Sequence, residues 1–166
     1  MPKLIKNGAL ESDHWTILKE ATGPEVLQAT LNKNFVVPLN FWKTYNQEIT
    51  EYSGETAIWL ESDETVQDIG SELHNFALIA LNFPSFTDGR SYSNARELRE
   101  HFQYKGEIRA IGEVLRDQLF YMSRCGFDAF AIRHDQNPEA CLKAFSDFST
   151  GYQATIAEPE PLFRRR

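Results

Sequence analysis

Charged and polar residues that could bind an anion cluster around Asp88, in the second half of the 166-residue chain. The turn Asp88-Gly89-Arg90 directly precedes a predicted helix, whose N-cap we assign to Ser91 or Ser93. There the Arg90 guanidinium and backbone N–H donors would surround an oxyanion, with the positive end of the helix dipole beside them. The alternative is structural: Asp88 caps the turn, Gly89 adopts a positive φ, and Arg90 pairs with a nearby acid.

Arg109 is a second candidate, because it stands between Ile108 and Ala110 in an apolar run. Its side chain would be either partly buried or at a sheet edge. A charge left unpaired in the interior costs roughly several kcal/mol, so Arg109 must have a partner. The candidate partners are Asp88, Glu113 and Asp117. Both a structural ion pair and an anion-binding arginine fit this pattern.

Arg116 and Asp117 follow a few residues later. Adjacent helical residues are about 100° apart, so these two cannot both face the same partner. Arg116 adds a third arginine to the same half of the chain. The sequence therefore predicts an anion site, provided that the arginines converge. Its candidate residues are Asp88, Arg90, Ser91, Arg109, Arg116 and Asp117.

Other kinds of catalytic centre lack a sequence signal. The four histidines are not spaced as metal ligands, so no metal site is predicted. Cys125 and Cys141 are interpreted as buried helix residues, and the chain has no nucleotide-binding glycine motif. It also has no flavin, haem or iron–sulfur motif, so we predict no cofactor and expect that a redox enzyme would borrow one from a partner.

Four short apolar runs predict the strands that position these residues. They span residues 57–60, 76–81, 108–111 and 127–132, and helical periodicity separates them. Asn137 is the predicted N-cap of the last helix, and Gly126 is predicted to end the helix before it. The predicted fold class is α/β, with a four-stranded parallel β-α repeat unit that is either an open sheet or half-barrel-like.

Ligands of parallel α/β sheets bind beyond the carboxyl ends of the strands, which selects four loops. The polar residues there lie in 61–63, 82–93, 112–118 and 133–135. The second loop is the most unusual, since it combines two phenylalanines with a proline and the Asp88-Gly89-Arg90 turn.

The predicted organisation has three parts that form one compact domain. Residues 1–52 are expected to be a small β-rich appendage, in which Asn7-Gly8 marks a hairpin turn. Residues 53–151 form the βα-repeat domain, and residues 152–166 form an extended tail.

Composition restricts the class of protein. The formal net charge of −7 argues against a nucleic-acid partner, and the acid excess lies in residues 1–87. Two cysteines favour a reduced, cytoplasmic location. No apolar run is long enough for a membrane span, and the N-terminus lacks a signal peptide, so no membrane partner is expected. Base rates favour a homodimer.

Several long motifs resemble a bacterial domain-of-unknown-function family. The motifs span residues 83–93, 98–99, 106–118 and 124–130, and the similarity also includes residues 13–15 and 152–153, so it covers nearly the whole chain. Members of that family are commonly labelled probable oxidoreductases of sulfite reduction, and they are usually encoded beside sulfite reductase.

The resemblance implies a role in assimilatory sulfate and sulfite reduction, and two hypotheses follow. The first is an accessory protein that docks to sulfite reductase or to its electron donor. The second is a small enzyme or sensor that binds sulfite, sulfate or a phosphorylated metabolite at the candidate anion site.

Overall fold

The computed structural model describes residues 3–20, 23–28, 33–148, 151 and 153–165. Eight strands form one sheet in this part of the chain. The strands are β1 (Lys3–Lys6), β2 (Ala9–Ser12), β3 (Trp15–Ile17), β4 (Asn34–Pro38), β5 (Thr56–Leu60), β6 (Leu78–Phe83), β7 (Glu107–Gly112) and β8 (Ala129–Ala131). The α-helices are α1 (Glu25–Gln28), α2 (Leu39–Thr44), α3 (Asn46–Glu51), α4 (Arg90–Glu100), α5 (Leu119–Cys125) and α6 (Pro138–Ala144). Short 3-10 helices lie within Val66–Asn75, which is interrupted by a kink at Gly70, and span Arg116–Gln118 and Leu162–Arg164.

The strand order is β2-β1-β8-β7-β6-β5-β4-β3. Strands β3 to β8 are parallel to one another, and β1 pairs antiparallel with both β8 and β2. The longest register joins the two central strands β6 and β7, from Leu78 opposite Glu107 to Phe83 opposite Gly112. The carboxyl ends of six parallel strands therefore meet at one edge of the sheet.

The sheet is open and strongly curled, as chain connectivity requires. Its two edge strands, β2 and β3, are separated in sequence only by Asp13 and His14. In a flat sheet of eight strands the edges would lie about 34 Å apart, at about 4.8 Å per strand. The three residue steps from Ser12 to Trp15 span at most about 11 Å. The sheet must therefore curve until its edges approach each other, which gives a half-barrel.

The two faces of the curled sheet have different cores. On one face, strand residues such as Ile79 and Ile108 pack in a cluster with helix residues such as Leu98 and Met122. On the other face, strand residues alone form a second buried cluster. Because no helix in the described part of the chain contributes to this second cluster, we place it inside the curl. Its buried members are Val36, Ala57, Trp59, Leu78, Ala80 and Ile111.

The predicted α/β class is confirmed, but the predicted four-stranded unit is too small. The four predicted runs correspond to β5, β6, β7 and β8. The residues predicted as an appendage supply the other four strands, and these pair with both sides of the repeat in one sheet. The physical reason is closure of the curl, which requires strands from the first part of the chain.

Two predicted helix ends are confirmed and one is wrong. The Asn137 side chain accepts a hydrogen bond from the backbone N–H of Ala140, and Gly126 ends α5 with a φ of 113°. Helix α4 begins earlier than predicted, with Gly89 rather than a serine as its N-cap. The φ of Gly89 is −100°, so it does not adopt the positive value of the structural interpretation. Asp88 supplies the missing cap, since its carboxylate accepts from the Arg90 backbone N–H.

Among the described residues, no helix is long and apolar enough to cross a membrane.

Tyr104 provides a pH test of the helix-covered core. Its hydroxyl donates to the carbonyl oxygen of Phe76 at 2.8 Å, and burial raises its pKa. An unfolded tyrosine ionises near pH 10, whereas the folded one resists ionisation, so this contribution to stability is complete below pH 10 and declines above it. We expect the stability advantage of the wild type over Tyr104→Phe to shrink as the pH rises from about 10 to about 11, by up to about 1.4 kcal/mol per pH unit. Urea unfolding of both proteins measures the difference in their free energies of unfolding. A difference that does not change with pH would contradict the prediction.

Candidate functional site

A cavity of about 560 Å³ opens at the carboxyl ends of the parallel strands. Its walls come from β3, β5, β6, β7 and β8, which curvature of the sheet brings around one opening. Ile17, Trp59 and Ile111 form an apolar floor that continues the inner core. The residues just past the strand ends form a polar rim. They are Lys19, Glu20, Glu61, Glu113, Arg133 and His134.

Glu61 and Asn82 form a hydrogen-bonded pair in the wall of this cavity. The Asn82 amide Nδ2 donates to Glu61 Oε2 at 2.8 Å. The backbone N–H of Glu61 donates to Glu64 Oε2, also at 2.8 Å, which fixes the start of the loop after β5. Burial raises the pKa of Glu64. The Glu61 carboxylate is therefore oriented by its neighbours and faces an amide rather than a cation.

Gly112 allows Asn82 to occupy this position. Its φ of 89° lies in the left-handed region that favours glycine. A Cβ at residue 112 would collide with the carbonyl oxygen of Phe83 and would lie 2.5 Å from Asn82 Oδ1. The end of β7 thus leaves space for the amide oxygen at the cavity wall.

Arg133 is neutralised by two carboxylates. One guanidinium nitrogen donates to Glu113 Oε2 at 2.5 Å, and two others donate to Asp135 at 2.7 Å each. The Arg133 guanidinium lowers the pKa of Asp135 to about 2, and the two acids raise the pKa of Arg133. A bound anion would have to compete with carboxylates that already use the planar donor face.

The predicted anion-site residues around Asp88 form a compact cluster beyond β5 and β6. The Arg90 guanidinium donates twice to Asp88, at 2.6 and 3.0 Å, and once to the Ser62 hydroxyl. Ser62 in turn donates to Asp88 at 2.7 Å, and Arg90 holds the pKa of Asp88 well below its usual range. Ser91 is buried and donates to the carbonyl oxygen of Asn82. Asp88 and Ser62 thus occupy Nε and Nη2 of Arg90, two of the three nitrogens with which it would bind an oxyanion.

Arg109 lies inside the curl, away from that cluster. Its guanidinium donates to both carboxylate oxygens of Asp13, at 2.9 and 3.0 Å, and to Glu107 at 2.7 Å. The three side chains are only 1%, 4% and 8% exposed. Lys6 completes the network through a 2.8 Å ion pair with Glu107, which raises the pKa of Lys6. The partners are therefore Asp13 and Glu107, not the acids offered by the sequence analysis.

Arg116 and Asp117 lie on the other side of the sheet, beside α6. Arg116 donates to the carbonyl oxygen of Ala140 and to Asp147, both at 3.0 Å. Asp117 is exposed in the short 3-10 helix before α5. The three predicted arginines thus have three separate sets of protein partners, so the structure does not gather them around one ligand. Anion binding by the individual residues stays a prediction.

The sequence analysis found part of the cavity and missed part. The principle that ligands bind beyond the carboxyl ends of parallel strands selected the loops that hold Glu61, Asn82, Glu113 and Arg133. These residues were nevertheless not chosen as the site. Lys19 and Glu20 were missed because β3 was expected to lie outside the repeat. Among the described residues, no three His, Cys, Asp or Glu side chains are placed to hold a metal ion.

The curled sheet and its cavity define an α/β protein whose potential ligand site lies at the carboxyl ends of parallel strands, the usual position in βα-repeat folds. The chain belongs to the family described as "Bacterial protein of unknown function (DUF934)", whose sequence profile matches residues 57–163. This confirms the resemblance to a bacterial family of unknown function, over a shorter segment than the motifs indicated. A search of curated proteins found no match.

Proposed function

We propose that this protein is an accessory of sulfate and sulfite reduction that acts by binding a small polar molecule in the cavity at the carboxyl ends of the strands. The observation that carries the binding role is the cavity itself. A volume of about 560 Å³ is within the range of small-molecule sites. Its apolar floor and polar rim supply the usual combination of packing surface and orienting groups.

The place in sulfur metabolism rests on the resemblance described above. Nothing in that resemblance assigns a reaction to particular residues of this chain. Binding rather than a named catalytic step is therefore the activity that we propose.

Docking to sulfite reductase or to its electron donor is a second candidate. Residues 1–87 contain five basic and twelve acidic side chains, and nine of the acids are exposed. Exposed acids attract a basic partner and accelerate its association. A docking role would need these acids but not an open cavity.

One genetic experiment tests the proposal and separates the two candidates. A bacterial strain that lacks this protein should grow poorly on sulfate and normally on cysteine. The wild-type gene and the control Ala157→Phe, which enlarges an exposed alanine, should restore growth on sulfate. Ala131→Phe places a ring in the cavity and should fail to restore it. Circular dichroism of the purified variants verifies that they fold.

The possible contrary results have distinct meanings. Full complementation by Ala131→Phe would reject the cavity and leave docking as the function. Normal growth of the deletion strain on sulfate, or a growth defect that cysteine does not relieve, would reject the role in sulfate and sulfite reduction.

A further inference from the structure

The cavity wall presents hydrogen-bond acceptors side by side at the ends of β5 and β6. The Asn82 amide donates a hydrogen bond from its nitrogen to Glu61, because an ionised carboxylate can only accept. Its amide oxygen, Oδ1, therefore faces the other way, toward the space beside Gly112. Glu61 and Asn82 are both half-buried and both line the cavity. A ligand that approaches here meets carboxylate and amide oxygens.

Glu61 is the carboxylate of the inner wall that has no cation. Within the part of the chain that the structure describes, its side-chain partner is the Asn82 amide, and no lysine, arginine or histidine lies within ion-pair distance. Glu113, by contrast, already pairs with Arg133, whose remaining donors are bonded to Asp135. Glu61 therefore supplies the negative charge of the inner wall, and Glu20 is a further carboxylate on the exposed rim.

The floor of the cavity is apolar. Trp59 is 7% exposed, and its indole N–H donates to the carbonyl oxygen of Leu18 at 2.9 Å, which fixes the ring. Ile17 and Ile111 extend this surface. A carbon skeleton of a few atoms would pack there while a polar end reached Glu61 and Asn82. Lys19 stands on the rim, where it could meet a second, negative end.

We propose that the cavity binds a small organic molecule through a primary ammonium group, which donates to Glu61 and Asn82. Three N–H donors and one positive charge match a carboxylate beside an amide oxygen. The ammonium group could belong to a simple amine or to an amino acid, whose carboxylate Lys19 would meet. This ligand class rests on the proposed binding function and concerns the cavity, which is separate from the anion site predicted around Asp88.

Nuclear magnetic resonance titration of ¹⁵N-labelled protein tests the ligand class. The probes are ethanolamine, L-serine, sodium acetate and sodium sulfate at matched concentrations and ionic strength. Ethanolamine and L-serine should shift the indole signal of Trp59 and the side-chain amide signal of Asn82, and acetate and sulfate should not. Tighter binding of L-serine than of ethanolamine, lost in Lys19→Met, would identify an amino acid as the source of the ammonium group.

Two matched variants test whether the charge of Glu61 is the one that binds the ammonium group. Glu61→Gln keeps the size of the side chain and should weaken ethanolamine and L-serine binding at least tenfold. Glu48→Gln removes the same charge from the exposed surface of α3 and should leave binding unchanged. Equal binding by wild type and Glu61→Gln would overturn the proposal, as would the absence of shifts with both amines.

The result can also separate the ligand class from the binding function. If acetate or sulfate shifts the cavity signals and the amines do not, the ammonium proposal is wrong and the cavity remains a ligand site. Failure of the binding function itself appears in the genetic experiment, as full complementation by Ala131→Phe.

Discussion

Replacing Arg109 with Met should lower the free energy of unfolding by about 3–5 kcal/mol, the cost typical of removing one partner from a buried ion pair. The methionine fills much of the space of the arginine stem, so the loss reports mainly on charge. Among the residues that the structure describes, Asp13, at 4% exposure, would keep only the backbone N–H of Trp15 as a donor. Glu107 would still have Lys6. The uncompensated charge is therefore that of Asp13.

A second substitution distinguishes this mechanism from a packing defect. Adding Asp13→Asn to Arg109→Met removes the orphaned charge, so the double variant should be more stable than the single one. Urea unfolding with linear extrapolation measures both differences. A loss below about 1 kcal/mol for Arg109→Met, comparable with an exposed ion pair, would contradict the buried network. Because Arg109 does not line the cavity, amine binding by the folded variant should be unchanged.

The position of Asp13 explains why this network matters to the fold. Asp13 lies between the two edge strands, and Arg109 lies on the central strand β7. Their contact therefore ties the middle of the sheet to the point where its edges approach, across the inside of the curl. Hydrophobic contacts supply most of the inner core, and this ion pair adds a buried contact at the point where the chain crosses from one edge to the other.

The sequence predicted the strands whose own residues show a clear pattern. It failed for the strands whose place in the sheet depends on contacts between distant parts of the chain. Strands β5 to β8 were found because unbroken apolar runs need burial on both faces. Strand β2 is exposed along its whole length and β3 has three residues, so neither has a pattern that assigns it to the same sheet. Their place is set by curvature and by a contact between residues 96 positions apart, Asp13 and Arg109.

The arginines of the candidate site could have been interpreted better from local sequence. Glu107 and Arg109 are two residues apart on one strand and therefore face the same side. Asp88 and Arg90 show the same spacing at a turn, as do Arg133 and Asp135. In each case the structure forms the local ion pair. That no cation of the described residues lies beside Glu61, in contrast, depends on the placement of four separate loops and has no local signal.

Arg99→Met should produce the second large loss of stability, about 2–4 kcal/mol, because one guanidinium satisfies several groups at once. Arg99 extends from α4 and is 16% exposed. It donates to the carbonyl oxygens of Tyr104 and Gly106 at 2.8 Å each, and to that of Gly126 at 3.0 Å. It also pairs with Asp128 at 2.9 Å, whose other oxygen accepts from the backbone N–H of Ile108.

The four acceptors of Arg99 belong to the segments that lead into β7 and β8, so its loss should loosen the amino ends of both strands together. Arg99→Lys keeps the charge but not the planar fork of donors, and should recover less than half of the stability. Arg96→Met, on the same helix, removes only an exposed pair with Glu100 and should cost about 0.5 kcal/mol or less. Hydrogen exchange should show faster opening of β7 and β8 in Arg99→Met than in Arg96→Met. Equal exchange in the two variants would mean that α4 and the strand entries are held by packing alone.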